Sequence, residues 1–225
     1  KLSPNLKSQI LQNISDSKIM LAILKKPELM EGLDAYYITK IISTLDENAK
    51  ISIIEDLNFL KNYKIDNYDI NQIIKSLGDK YKLQILSNKS LVSELGLKDY
   101  QISEFIAEIQ DEATKLKLMD AYKIKSHHTL EILQTFSDKS KSQIILNNEF
   151  GLARNHLIKL ISSLTTESIA QFIIENREFM QKNNIAPYNI TKMLTTEKQL
   201  EIIQNIENMG LILAEKRQVF VTLDQ

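Results

Sequence analysis

The stretch Ile41–Glu47, with the sequence IISTLDE, decides the fold because variants of it recur along the chain. Its pattern is two aliphatic residues, two polar residues and one aliphatic residue, followed within three residues by an acid. We call the last aliphatic residue the anchor. The anchors are Ile14, Leu45, Leu77, Ile109, Phe136, Leu164 and Leu194. Their spacing of 27–32 residues is typical of a helical-repeat protein.

Two further apolar columns accompany the anchors and indicate a real internal repeat. Four residues before the anchors stand Ile10, Ile41, Ile73, Phe105, Ile132, Leu160 and Ile190. Nine residues after the anchors stand Ile23, Ile54, Leu86, Leu118, Ile145, Ile173 and Ile203. A looser column fifteen residues after the anchors contains Leu29, Leu60, Val92, Ile124, Phe179 and Met209, and it fails at Gly151. Since 43% of all residues are apolar, chance does not account for two columns that are apolar in all seven copies.

The spacing around the anchor predicts helices on both sides of it. Apolar positions three, four and often seven residues before the anchor follow the pattern of a helix buried along one face. N-cap residue types follow the anchors at Ser15, Asp46, Gly78, Ser137, Thr165 and Thr195. These caps, and the acids that follow them, are typical of a helix N-terminus. Each unit therefore contains two helices, and a short apolar stretch after them predicts a third helical turn.

The sequence thus predicts an all-α fold, an α-solenoid or superhelical array of about seven repeats with two to three helices each. Helices of roughly ten residues are not stable alone, so they must stack on their neighbours. We expect one domain, residues 1–225. The expected repeats are residues 5–35, 36–67, 68–99, 100–127, 128–155, 156–186 and 187–214, with 215–225 as the start of a truncated eighth repeat whose anchor is Leu223. Both ends look like repeats, so we expect the natural protein to continue beyond at least one terminus.

Composition excludes several classes of function. The chain has no Cys, which excludes thiolate nucleophiles and thiolate metal sites. It has 28 basic and 29 acidic residues, and this balance disfavours a broad phosphate-binding surface. Its five glycines are isolated and form no phosphate-binding loop. No apolar run approaches the roughly 18 residues of a bilayer span. We therefore expect no cofactor and no membrane span.

Two groups of residues allow a chemical interpretation and a structural one. His127 and Glu131 are four residues apart, the spacing of a metal-ligand pair on a helix. We favour a structural role, because His128 belongs to an aromatic column at the start of the first helices. Other repeats place Tyr37 and His156 at the same offset, with Tyr68 and Tyr100 one residue earlier, and we expect the column to pack between repeats. The acid pairs at 46–47 and 111–112 lie at helix starts, where the helix dipole accounts for them. We predict no metal ligands and no catalytic residues.

A column of variable polar residues stands five residues before the anchors. We predict that its members Lys40, Gln72, Glu104, Glu131, Lys159 and Asn189 contact a partner. The mixture of Lys and Glu does not suit a phosphate backbone, and the chain has only three Arg that could stack on bases. The column therefore favours a protein or peptide partner over a nucleic acid.

The repeated two-to-three-helix pattern resembles that of α-solenoid proteins over nearly the whole chain, without the signature residues of any one family. This resemblance implies a non-enzymatic protein–protein interaction module or scaffold that holds its partner in the solenoid groove. One alternative is a targeting or regulatory region of a larger enzyme or effector whose catalytic part lies outside this chain. Another is an RNA-binding helical repeat.

The composition also bears on where the protein works. The chain contains 33 Ile and many Lys and Asn, which is typical of an AT-rich genome. A helical-repeat module from such a source resembles the targeting region of a secreted bacterial effector. The expected location is therefore the cytoplasm or, for an effector, the interior of a host cell.

Overall fold

The computed structural model describes residues 2–124, 126–207 and 210–220. Within these residues the chain forms nineteen helices and no β-strand, which confirms the all-α prediction. Met209 of the looser apolar column and the expected eighth anchor, Leu223, lie outside the described residues. The chain divides into two compact units, residues 1–121 and 122–225.

The first unit is built from successive groups of a first, a second and usually a short third helix. Its helices are α1 (Pro4–Gln12), α2 (Ser17–Leu24), α3 (Pro27–Met30), α4 (Ala35–Ser43), α5 (Glu47–Ile54), α6 (Leu57–Asn62), α7 (Asn67–Lys75), α8 (Asp79–Ser87), α9 (Lys89–Glu94), α10 (Asp99–Glu108) and α11 (Glu112–Tyr122). The first helices of the groups are α1, α4, α7 and α10, and the second helices are α2, α5, α8 and α11. Helices with the same place in successive groups pack on each other: α1 contacts α4, α4 contacts α7, and α2 contacts α5.

The second unit repeats this organisation. Its helices are α12 (Ser126–Leu133), α13 (Asp138–Asn147), α14 (Arg154–Ser162), α15 (Thr166–Glu175), α16 (Arg177–Lys182), α17 (Pro187–Thr191), α18 (Thr196–Asn205) and α19 (Leu213–Phe220). The first helices α12, α14, α17 and α19 contact one another in that order, and the second helix α15 contacts α18. The guanidinium of Arg177 holds α19 through two bonds of 2.7 and 3.1 Å to the carboxylate of Glu215.

The predicted apolar frame forms the core of both units. All anchors except Ile14 are buried, and the column four residues earlier is fully buried in six of its seven copies. The exception is Ile10, which is 48% exposed. Among the first helices α1 contacts α4, and Ile10 lies on a side of α1 that this contact leaves open. Leu29 in α3 is also largely exposed, so the frame is least complete in the first repeat.

The predicted N-caps are confirmed in five of six copies. Asp46, Gly78, Ser137, Thr165 and Thr195 are the N-caps of α5, α8, α13, α15 and α18. The prediction is wrong for Ser15, because Asp16 takes that position in α2. One oxygen of Asp16 accepts hydrogen bonds from the backbone N–H groups of Lys18 and Ile19, and a carboxylate there also complements the helix dipole.

Residues in the left-handed conformation mark the ends of the repeats. Positive φ angles occur at Gly32, Lys64, Gly96, Lys123, Gly151, Asn184 and Gly210, each followed by Leu or Ile, and also at Asn148, the C-cap of α13. The N–H of Ile65 donates to the carbonyl of Leu60 at 2.9 Å, and that of Ile185 donates to Met180 at 2.8 Å. This is the Schellman arrangement that closes a helix C-terminus and buries the following aliphatic residue.

The third helix predicted for each unit forms in only some of them. Helices α3, α6, α9 and α16 occupy this place. No third helix follows α11 or α13 within the described residues. The left-handed residues Gly96, Lys123 and Gly151 are only 27 and 28 positions apart, whereas the intervals that contain α6, α9 and α16 are 32, 32 and 33 positions long. The repeats that end at Lys123 and Gly151 therefore lack the residues for that turn.

Three of the acids that follow the anchors, Glu47, Asp79 and Asp138, do more than complement the helix dipole. The carboxylate of Asp79 accepts a hydrogen bond at 2.9 Å from the backbone N–H of Gln110, the residue that directly follows the next anchor. Equivalent bonds run from the side chain of one repeat to the backbone of the next at several junctions. They join Ser17 to Asp46, Glu47 to Gly78, Asp79 to Gln110, and Asp138 to Thr165. The same polar contact thus holds successive second helices in register within each unit.

Candidate functional site

Three tyrosines stand at equivalent exposed positions in the first unit. Tyr36 on α4, Tyr68 on α7 and Tyr100 on α10 are 56%, 67% and 50% exposed. Each lies four residues after the left-handed residue that ends the preceding repeat. The repeat therefore sets one tyrosine on the outer side of each of three successive first helices.

The predicted packing of Tyr68 and Tyr100 between repeats is wrong. Each lies two residues before a buried isoleucine, Ile70 or Ile102. Two residues correspond to 200° around an α-helix, so a tyrosine at this position points away from the core. The sequence pattern contained this information, because the offset from the apolar column is the same in both copies.

The predicted polar column lies one helical turn after the tyrosines. Lys40, Gln72 and Glu104 are exposed and follow the tyrosines of α4, α7 and α10 by four residues each. Residues four apart share one side of a helix. The six residues, Tyr36, Lys40, Tyr68, Gln72, Tyr100 and Glu104, form what we call the first-helix face.

Contacts within the first-helix face hold its side chains in place. The ammonium of Lys40 lies 4.3 Å from the ring centroid of Tyr36, within the range of a cation–π interaction. The carboxylate of Glu104 accepts a hydrogen bond at 2.7 Å from Lys75 on the neighbouring helix α7. This bond raises the pKa of Lys75. The face is therefore partly ordered before any partner binds.

The second unit has related positions with different side chains. Glu131 on α12 and Lys159 on α14 are exposed, as predicted for the polar column. Asn189 on α17 is half-buried, and its Oδ1 accepts hydrogen bonds at 2.9 Å from Arg154 and from the backbone of Ala186. Because α17 has only five residues, the distance from the anchor does not identify its exposed polar position. The exposed residue one turn after Tyr188 is Lys192.

Glu131 lies beside one of the two histidines of α12. His128, rather than His127, lies next to Glu131, with 3.0 Å between Nδ1 and a carboxylate oxygen. The rings of His127 and His128 lie 3.8 Å apart between centroids. Among the described residues, no group of three or more His, Asp or Glu side chains is arranged to hold a metal ion.

Buried lysines form a further column that the sequence analysis missed. They follow the anchors by five or six residues and are 3–6% exposed, at Lys50, Lys82, Lys115 and Lys141. Lys141 donates at 2.8 Å to the carbonyl of Ser163, and Lys82 donates to Glu108. Both acceptors lie at the C-terminal end of the next first helix, where the helix dipole is negative. Lys82 and Lys141 therefore stabilise the junctions between their repeats.

Comparison of the chain with family models, with curated proteins and with solved structures gives no match. Within the described residues, no helix is both long and apolar enough to span a bilayer.

Proposed function

We propose that this chain is a non-enzymatic protein–protein interaction module, an α-solenoid that presents the first-helix face to a protein or peptide partner. The observation that supports this function most strongly is the repeated exposure of Tyr36, Tyr68 and Tyr100. Tyrosine is enriched in protein interfaces because it offers a large apolar surface and a polar tip with little conformational freedom to lose.

The charges on the face favour a protein over a single-stranded nucleic acid. Exposed tyrosines can stack on bases, but a nucleic-acid groove also needs cations that follow the phosphates. The polar column changes from Lys40 through Gln72 to Glu104. Lys75 on α7 also lies next to this column, but its ammonium already forms an ion pair with the carboxylate of Glu104. The face therefore offers mixed polarity next to aromatic rings, as protein interfaces do.

We expect the triple variant Tyr36→Ser/Tyr68→Ser/Tyr100→Ser to lose its partner. The measurement is affinity capture from a lysate of the source cells, followed by quantitative mass spectrometry. Proteins that bind the first-helix face should fall at least about tenfold, because buried interface tyrosines commonly contribute 1 kcal/mol or more each. Since the three side chains are half or more exposed, the fold should persist, which circular dichroism will check.

The matched control is Ile19→Ser/Leu29→Ser/Leu116→Ser, which removes exposed apolar side chains from other helices of the same unit. It should retain the partner. Retention by the tyrosine variant, or equal loss by both variants, would contradict the proposed face. If captured material is instead RNA that ribonuclease removes, the RNA-binding alternative is favoured.

A further inference from the structure

A groove with a volume of about 540 Å³ runs between the second helices α15 and α18. Its floor contains the buried residues Thr166 and Ala170 and the half-buried Ile174. The hydroxyl of Thr166 donates a hydrogen bond at 2.6 Å to Glu201, so this polar floor group already has a partner. The remaining floor residues, Ala170 and Ile174, are apolar, and Ile174 is partly exposed.

The rim of this groove is acidic. Glu167 and Glu175 on α15 and Glu201 on α18 are all exposed. Within the described residues no Lys or Arg lines the groove. The carboxylate of Glu175 accepts a hydrogen bond at 2.9 Å from Gln171 of the same helix, which leaves its negative charge uncompensated. Three carboxylates therefore surround an apolar floor.

The groove continues across α15 towards α13. A second depression of about 400 Å³ between these helices shares Gln171 and Glu175 with the first and adds Leu146 and Phe172. Lys139 brings a positive charge to this end. The combined surface, which we call the second-helix groove, is thus long enough for several residues of an extended ligand and keeps an excess of negative charge.

The corresponding space between α5 and α8 in the first unit is bridged by side chains. Between α5 and α8, the hydroxyl of Tyr81 donates to Asn48 at 2.9 Å, and Gln84 donates to Glu55 at 3.0 Å. These two bonds join α8 to α5 through Tyr81 and Gln84, which lie three and six residues after the N-cap of α8. An internal polar pair therefore occupies the positions that a ligand would need.

The junction of α15 and α18 has different side chains at these positions, and the hydrogen bond from Thr166 to Glu201 joins the two helices instead. Lys198 stands where the first unit has Tyr81, and it donates instead to the carbonyl of Leu164 at 2.7 Å. Glu201 stands where the first unit has Gln84, and its counterpart on α15 is the apolar Ile174. The groove between α15 and α18 is open as a consequence.

We propose that the second-helix groove binds a cationic segment of a partner protein in which Lys or Arg alternate with aliphatic residues. The charge complementarity is direct, since three exposed carboxylates face a ligand that carries ammonium or guanidinium groups. The aliphatic stems of Lys and Arg pack on apolar surface while their charged ends reach polar groups, which matches an apolar floor below an acidic rim. This site is separate from the first-helix face, and its test is independent of that proposal.

Fluorescence anisotropy with the full chain tests the site. The probe is a labelled twelve-residue peptide of four Lys-Leu-Ala triplets, and the control probe has Glu in place of Lys. We expect saturable binding of the cationic probe at 50 mM salt. The variant Glu167→Gln/Glu175→Gln/Glu201→Gln should weaken it at least about tenfold, because each rim ion pair contributes modestly and three are lost. Ile174→Ser should also weaken binding, since it removes part of the apolar floor without changing charge.

The matched variant Glu149→Gln/Glu178→Gln/Glu207→Gln removes the same charge from exposed positions of the second unit that do not line the groove, and it should change affinity less than about twofold. Circular dichroism checks that each variant is folded. The proposal is overturned if the cationic probe does not saturate, if the acidic probe binds equally well, or if both glutamine variants lose affinity alike. It is also overturned if spermidine displaces the probe and Ile174→Ser has no effect, since the site would then hold a small polycation without using its floor.

Discussion

Replacing Phe105 with alanine will lower the free energy of unfolding by about 4 kcal/mol. Phe105 belongs to the apolar column four residues before the anchors, and its side chain is fully buried on α10. The substitution removes an aromatic ring from a packed interior and leaves a cavity that the surrounding helices fill only in part. Urea denaturation followed by circular dichroism at 222 nm measures the change.

Ile10 provides the control for this substitution because it stands in the same column of the repeat. Its side chain is 48% exposed, so Ile10→Ala removes little buried surface and should cost less than about 1 kcal/mol. If the two variants lose similar stability, the burial of this column does not follow the helical stacking described above.

Replacing Asp138 with alanine will destabilise the chain by about 3 kcal/mol. The carboxylate of Asp138 accepts hydrogen bonds from the backbone N–H and the hydroxyl of Thr165 at 2.8 and 2.7 Å. It also lies 3.0 Å from the buried ammonium of Lys141. The variant leaves this ammonium without its carboxylate, which is costly in a buried position. Thermal or urea unfolding measures the loss.

The double variant Asp138→Asn/Lys141→Met separates charge burial from packing. Methionine fills a similar volume without a charge, so the double variant should be more stable than Asp138→Asn alone. If it is less stable, the main contribution of Asp138 is not the compensation of Lys141.

The protonation of Asp138 links this contact to pH. Burial alone would raise the pKa of Asp138, but hydrogen bonds from Thr165, Ser168 and Lys141 hold it well below its usual range. A carboxylate whose pKa is lower in the folded chain contributes stability above its unfolded pKa of about 3.9. That contribution is lost as the pH falls below about 4 towards the folded pKa. The wild-type chain should therefore lose more stability between pH 5 and pH 2 than the alanine variant.

The repeat frame was predictable because it depends on burial. Anchors such as Leu77 and column members such as Ile73 must lie inside whichever helices form, and the sequence shows them at a constant spacing. The N-caps were predictable for the same reason, since a small or acidic residue directly after an anchor satisfies the free N–H groups of a new helix.

The ends of the repeats were harder to predict. Gly96, Lys64 and Asn184 all adopt positive φ in equivalent places. Because these are three different residue types, the sequence shows no recurring residue at this position. Glycine adopts this conformation without strain, whereas Lys64 does so because the preceding helix and the buried Ile65 require it. The conformation is therefore set by tertiary packing as much as by the residue.

The two candidate surfaces differ in the same way. Exposure of Lys40, Gln72 and Glu104 followed from the helical period, and the tyrosines one turn earlier follow from the same rule once the helix start is placed correctly. The second-helix groove could not be deduced from the sequence. Its opening depends on which polar side chains bridge adjacent helices, and such pairs differ between repeats that share the same apolar frame.

Equivalent units that stack only on their neighbours should tolerate the loss of a whole unit, and an in-register deletion tests this directly. Removing residues 65–96 takes out one repeat of 32 residues and joins Lys64 to Leu97, which preserves the sequence of a left-handed residue followed by an aliphatic residue. Removing residues 65–80 takes out half a repeat and breaks the order of helices.

Circular dichroism and urea unfolding should show that the chain without residues 65–96 keeps its helical signal per residue and unfolds cooperatively, since each repeat needs only its neighbours. The chain without residues 65–80 should lose much of both. If the two deletions are equally damaging, the units are not interchangeable and the stacking account is contradicted.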